Sequence, residues 1–175
     1  MALLGGAVVT GLVLYGFMAT DFAGSDPLTT EQSVLPTSDA DEEGPFSRYT
    51  VLTDAGETLS LAQGEYLVAM LSMSCEHCME SVAQLNEYVG LFPQIPVVAL
   101  CWEPSEGAMA EFVSMSGPLF PMHSLGDNFI EFAELIGSAP PRLSFVRDGI
   151  AVQSWDDSMP DLETLLAAVA STPTS

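Results

Sequence analysis

The chemistry of this chain starts at two cysteines three residues apart, in Ser72-Met73-Ser74-Cys75-Glu76-His77-Cys78. They follow Glu65 to Ser72 (EYLVAMLS), a nearly continuous apolar run that reads as a strand buried on both faces. Beyond them, Val82, Leu85 and Val89 continue from Cys78 at helical spacing, which predicts a helix from Cys75 to about Val89. Two cysteines at i and i+3 of a first helical turn lie on the same side, close enough to close a small disulfide ring. A helix N-terminus presents unpaired N–H groups and positive potential, both of which favour a thiolate. Cys75 is therefore the expected attacking sulfur. Cys78, one turn in and on the apolar face, is the expected resolving sulfur. His77 lies inside the ring and, when protonated, stabilises the thiolate; the carboxylate of Glu76 acts in the opposite sense.

Other readings of these residues differ in what else they require. A structural zinc site needs a second ligand pair, and only the isolated Cys101 and His123 remain, so no metal is assigned. Three cysteines are too few for a disulfide framework. Met73 and Met79 flank the pair, and Cu(I) prefers thiolate and thioether. Copper handling through Cys75, Cys78 and Met73, His77 or His123 is thus the alternative function.

A second motif is Gly137-Ser-Ala-Pro140-Pro141-Arg142-Leu143-Ser144-Phe145. A proline directly before a strand can hold a cis peptide, and it removes an N–H from the strand edge. The preceding backbone, Ala139 and Pro140, is then free to pair with an extended substrate chain. A plain strand-start proline fits the same residues. Cys101 ends a second apolar run, Pro96 to Cys101, and the C-terminal ends of parallel strands face active sites. It reads either as a third redox cysteine or as a small buried core residue. Trp102 beside it either lines the peptide groove or caps the core.

The elements that would position these residues follow in order. Arg48–Thr53 and Glu57–Leu61 flank Asp54-Ala55-Gly56, a hairpin signal. A helix is expected from about Pro104 to Met115, ahead of Gly117, and another from Asp127, as its cap, to Ile136, ahead of Gly137. Arg142–Val146 and Ile150–Trp155 flank Asp148-Gly149, a second hairpin, and Asp161–Ala170 is a last amphipathic helix. The leading strand–helix–strand unit demands a parallel pair, and the closing hairpin adds antiparallel strands. The fold class is α/β: a mixed sheet flanked by helices, with an N-terminal β-hairpin extension.

Residues 2–20 carry no charge and, as a helix, span roughly 28 Å, close to a bilayer core. The run is longer than a signal-peptide core and has no basic start, so 1–20 is expected to be an uncleaved transmembrane anchor. Residues 21–45 are rich in Pro, Ser, Thr and acid and read as a flexible acidic linker to a domain over 46–172. There are 24 acidic residues against three arginines and no lysine, a formal net charge of −21. That balance excludes nucleic acid, whose phosphates need Lys and Arg, and docking on anionic headgroups.

From Phe46 to Ala170 the chain resembles the thioredoxin superfamily, through the strand–CEHC–helix unit and the APPRLSF proline ahead of a strand that ends at Asp148-Gly149. The added N-terminal hairpin resembles the membrane-anchored TlpA-type branch. SCEHC-x₆-LNE and APPRLSFVRDG also look like thioredoxin-like tails of DoxX-type membrane proteins. The resemblance implies a thioredoxin-like fold, with Cys75 as nucleophile, Cys78 as resolver and Pro141 as the cis-proline. It implies protein thiols and disulfides as substrates, no cofactor, and a redox partner in the membrane, with the domain on the extracytoplasmic (periplasmic) side. The chain departs from the thioredoxin pattern at Ser74, where Trp stands, at Glu76 and His77, where Gly-Pro stands, and at Ala69, where many members bury an acid. His77 in that position resembles the disulfide-introducing members.

Overall fold

A computed structural model describes residues 44–171. The expected anchor at 1–20 and all but the end of the 21–45 linker lie outside the described residues. Among those described, no helix is long and apolar enough to cross a membrane.

Two short strands come first, β1 (Thr50–Leu52) and β2 (Thr58–Ser60), paired antiparallel as a two-stranded sheet of their own. The main sheet follows, in the sequence order β3 (Glu65–Ser72), α1 (Glu76–Leu91), β4 (Val97–Trp102), α2 (Ala108–Ser116), β5 (Met122–Ser124), α3 (Phe129–Ile136), β6 (Arg142–Arg147), β7 (Ile150–Asp156) and α4 (Leu162–Ala170). Its spatial order is β5-β4-β3-β6-β7. β3 runs parallel to β4 and antiparallel to β6, and β4 runs parallel to β5. The sheet is therefore mixed, with its most apolar strand at the centre.

The alternation of side chains along β3 and β4 builds two cores. Leu67, Ala69 and Leu71 with Val97, Ala99 and Cys101 face α1 and meet Val82, Leu85, Phe112 and Leu165. Tyr66, Val68 and Met70 with Val98 and Leu100 face the other way and meet Phe132, Leu135 and Ile136 of α3 and Phe46, Tyr49 and Leu61 around the hairpin. The β6–β7 turn joins Arg147 to Ile150 through Asp148 (φ 48°) and Gly149 (φ 78°). Left-handed φ at both central residues is the demand of a two-residue hairpin loop, and Asp-Gly meets it at low cost.

Three expectations change in detail. Helix α2 starts at Ala108 rather than Pro104, because Gly107 turns left-handed (φ 85°) and the Glu103 carboxylate, not a neighbouring cap, accepts the Met109 N–H at 3.1 Å. Helix α3 is capped by Asn128 rather than Asp127, its side chain accepting the Glu131 N–H at 3.3 Å. Strand β5 was not expected from the sequence: three residues, Met122–Ser124, are too few for an alternating pattern, and they pair only because β4 offers an open parallel edge.

Helix α1, which carries the cysteines, is tied down at its far end. The Tyr88 hydroxyl donates to the Pro160 carbonyl, which also accepts from Gln84 Nε2 at 2.9 Å. Burial pushes the Tyr88 phenol up to about 12, so it remains a donor across the neutral range. Tyr88→Phe is expected to lower the stability of the folded chain by about 1 kcal/mol, the net worth of one such bond. Urea unfolding of the two proteins reads this directly, and an unchanged midpoint would mean that the bond contributes nothing.

Candidate active site

The site is built where β3 ends and α1 begins. Cys75 is the N-cap of α1, with extended backbone (φ −98°, ψ 119°), and its sulfur accepts the backbone N–H of Cys78 at 3.2 Å. A sulfur thus occupies the place usually taken by a Ser or Asp oxygen, on the helix's positive end. The Cys75 N–H in turn bonds to the Ser72 carbonyl at 3.1 Å, and the Met79 N–H bonds to the Cys75 carbonyl at 3.2 Å. Cys75 is partly exposed, whereas Cys78 is fully buried.

Cys78 sits against the end of β3, where its sulfur accepts the Ser72 N–H at 3.4 Å. Burial first, then the Cys75 sulfur beside it, pushes the Cys78 thiol well above its ordinary range; the Ser72 N–H pulls weakly the other way. Ser72 is itself a buried polar residue, and its hydroxyl lies 3.2 Å from that of the exposed Ser74. Ser74 stood out in the sequence only as a departure from the thioredoxin pattern, and Ser72 was not singled out. Their signal was present only as two small polar residues closing an otherwise apolar strand.

The loop from Gly137 to Pro141 approaches from the side of β6. The Pro140–Pro141 peptide is cis, and the Cys75 thiol donates to the Pro140 carbonyl at 3.8 Å. The loop is held from several directions. Arg142 donates to the Ile136 carbonyl at the end of α3 and pairs with Asp156 at 3.4 Å. Ser138 donates to the same Asp156 carboxylate at 2.7 Å, and the Asp157 N–H donates to the Pro141 carbonyl at 3.2 Å. Pro141 is buried and Ala139 exposed. Among the described residues no backbone hydrogen bond engages Ala139.

The remaining expected site residues are placed elsewhere. His77 is exposed, and its Nδ1 lies 3.1 Å from the Glu80 carboxylate one turn along the helix, so its partner is Glu80 rather than the cysteine sulfur. Cys101 is fully buried on the α1 face of the sheet, in one cluster with Cys78, and burial pushes its thiol far up. Trp102, the next residue, points to the opposite face, where its ring packs against Phe129 and Phe132 of α3, with centroids 5.1 and 6.2 Å away. The groove-lining role considered for Trp102 is therefore corrected: strand alternation turns it away from the cysteine face and onto α3. His123, opposite Leu100 in β5, likewise belongs to the other face. Neither histidine joins the cysteines, and among the described residues no three His, Cys, Asp or Glu side chains gather as a metal ligand set. Ala69 is fully buried beneath α1, so the position where many thioredoxins bury an acid is apolar here.

No protein-family model matches the chain, and no curated protein does. Solved structures do. A secreted Mycobacterium tuberculosis disulfide oxidoreductase, homologous to E. coli DsbE, superposes with a TM-score of 0.56 at 18% identity, over 73% of this chain and 98% of that one. StoA from Bacillus subtilis gives 0.55 at 15% identity, over 69% and 95%. The exposed lipoprotein thioredoxin Etrx1 of Streptococcus pneumoniae gives 0.54 at 16% identity, over 70% and 98%. The domain has the thioredoxin-like fold.

Proposed function

We propose that this chain is a thiol–disulfide oxidoreductase acting on protein thiols and disulfides through Cys75 and Cys78. The observation that carries the reading is the division of labour between the two sulfurs. Cys75 is accessible and caps a helix, while Cys78 is buried one turn behind it with its backbone N–H on the Cys75 sulfur. In the reducing direction the Cys75 thiolate attacks a substrate disulfide, forming a mixed disulfide and releasing one substrate thiolate. Cys78 then gives up its proton and attacks Cys75; the Cys75–Cys78 bond forms and the second substrate sulfur leaves with the electron pair. The oxidising direction runs the same bonds in reverse.

The cis Pro140–Pro141 loop supplies the platform. An extended substrate chain laid along Ala139 finds an unpaired, exposed backbone next to the Cys75 sulfur, and strand-like pairing there brings the substrate sulfur within reach. Two of the neighbours are, by name, a disulfide oxidoreductase and a thioredoxin, which supports the reading. The uncharged run at residues 2–20, the acidic segment after it, and neighbours described as secreted and as an exposed lipoprotein support a membrane-held domain on the extracytoplasmic side, served by a membrane redox partner.

Cys75→Ala is expected to reduce insulin turnover to the uncatalysed background, while Cys78→Ala accumulates trapped mixed disulfides on non-reducing gels. Full turnover by Cys75→Ala would end the reading. Because Cys78 must ionise from a thiol pKa raised by burial, the resolving step should quicken by about tenfold per pH unit from pH 7 to 9 without levelling. Stopped-flow decay of a preformed mixed disulfide measures it, and a plateau below pH 8 would contradict the burial effect. For the anchor, the full chain should remain in the membrane pellet after an alkaline carbonate wash, and a chain lacking residues 1–20 should leave it; equal behaviour of the two would remove the anchor from the proposal.

A further inference from the structure

The oxidoreductase reading uses two of the three cysteines and leaves Cys101 idle. Yet Cys101 is no ordinary core residue by position. It stands directly opposite Leu71 in the parallel β3–β4 ladder, with its side chain on the α1 face. Ser72, the next residue of β3, is the one whose N–H holds the Cys78 sulfur. Cys78 and Cys101 are thus both fully buried, on the same side of the sheet, above adjacent residues of the same strand pair. Below them the ladder pairs Ala69 with Ala99, two small residues on the same α1-facing side. Consistent with proximity, the Cys101 sulfur is one of the groups that raise the Cys78 thiol pKa.

We propose that Cys78 exchanges disulfide partners between Cys75 and Cys101, so that the Cys75–Cys78 disulfide isomerises to a buried Cys78–Cys101 disulfide that leaves Cys75 as a lone exposed thiol. The inference rests on the reading above, since it starts from the Cys75–Cys78 disulfide. The Cys101 thiol gives up its proton, and its sulfur attacks the Cys78 sulfur. The Cys78–Cys101 bond forms, the Cys75–Cys78 bond breaks, and its electron pair stays on Cys75, which takes up a proton. One disulfide and one thiol exist before and after, so no oxidant or reductant is consumed.

Two physical features give the exchange its direction and its pace. Cys75, on the helix N-terminus, is the better leaving group, and a neutral disulfide suits the apolar interior. The attacking thiol is buried and reluctant to ionise, so the exchange is slow, on the minutes-to-hours scale of uncatalysed disulfide rearrangement. In the isomerised state the oxidising equivalent is stored away from solvent. A mixed disulfide that Cys75 forms in this state has no resolving thiol, and because the reverse exchange needs a free Cys75 thiolate, it persists until an external thiol displaces Cys75 from it.

The test uses the full chain, oxidised with one equivalent of diamide, incubated at alkaline pH and sampled by acid quench. Free thiols are alkylated, the protein is cleaved with pepsin at low pH, and linked peptides are identified by mass spectrometry. The expected result is a Cys75–Cys78 link at first, replaced over time by a Cys78–Cys101 link as Cys75 becomes alkylated. Cys75→Ala, oxidised in the same way, should close Cys78–Cys101 and lose two hydrogens in mass. The proposal is overturned if Cys101 is the alkylated cysteine at every time point, or if oxidised Cys75→Ala retains two free thiols. If the first outcome comes with normal insulin turnover, the oxidoreductase reading stands and only the exchange falls. If no Cys75–Cys78 disulfide forms and insulin is not turned over, both fall.

Discussion

Everything at the site depends on one contact, the backbone N–H of Cys78 on the sulfur of Cys75. It caps α1, and so fixes where the helix begins relative to the end of β3. Once that is set, Cys78 stands one turn further in, on the face of α1 that Val82 and Leu85 bury against the sheet. The Ser72 N–H, left over as β3 ends, then becomes the partner of the Cys78 sulfur. The same cap places the Cys75 thiol against the Pro140 carbonyl, which reaches it from a different part of the chain. A helix starting one residue earlier or later would rotate both sulfurs by about 100° and break all three relations.

The sheet supplies the second constraint, which is parity. Along β4, Ala99 and Cys101 face α1, while Leu100 and Trp102 face α3. Two adjacent residues at the strand's end therefore serve opposite sides of the molecule. Cys101 shares the core with the redox pair, and Trp102 covers α3. The same parity puts apolar Ala69 beneath α1, and among the described residues it is the Ser72 N–H that eases ionisation of the buried resolving sulfur.

Charge is distributed with equal economy. Each of the three arginines is engaged in an ion pair: Arg48 with Glu131, Arg142 with Asp156 and Arg147 with Glu65. The Arg48 pair is exposed and long at 3.8 Å, and contributes little. Arg142 is different, because it links the end of α3 to the Asp156 carboxylate and so braces the loop that carries Pro140. A chain this acidic has placed one of its few cations where a loop must be held against the cysteines.

Much of the site was legible in the chain itself. The spacing of Cys75 and Cys78 between an apolar run and a helical repeat determined which sulfur is exposed and which is buried, because strand and helix periods allow only one arrangement. Asp148-Gly149 determined the last hairpin for a similarly local reason. What remained illegible depends on which partners the side chains and strand edges find once the chain is folded. Strand β5 exists only because β4 leaves an edge open, the start of α2 is set by a carboxylate from the preceding loop, and His77 turns to Glu80 instead of the sulfur. Above all, only the tertiary structure decided that Pro140 meets Cys75, that Trp102 turns away, and that Cys101 lies on the cysteine side. Local pattern fixes the faces of single elements, whereas meetings between elements follow from strand register and parity across the whole sheet.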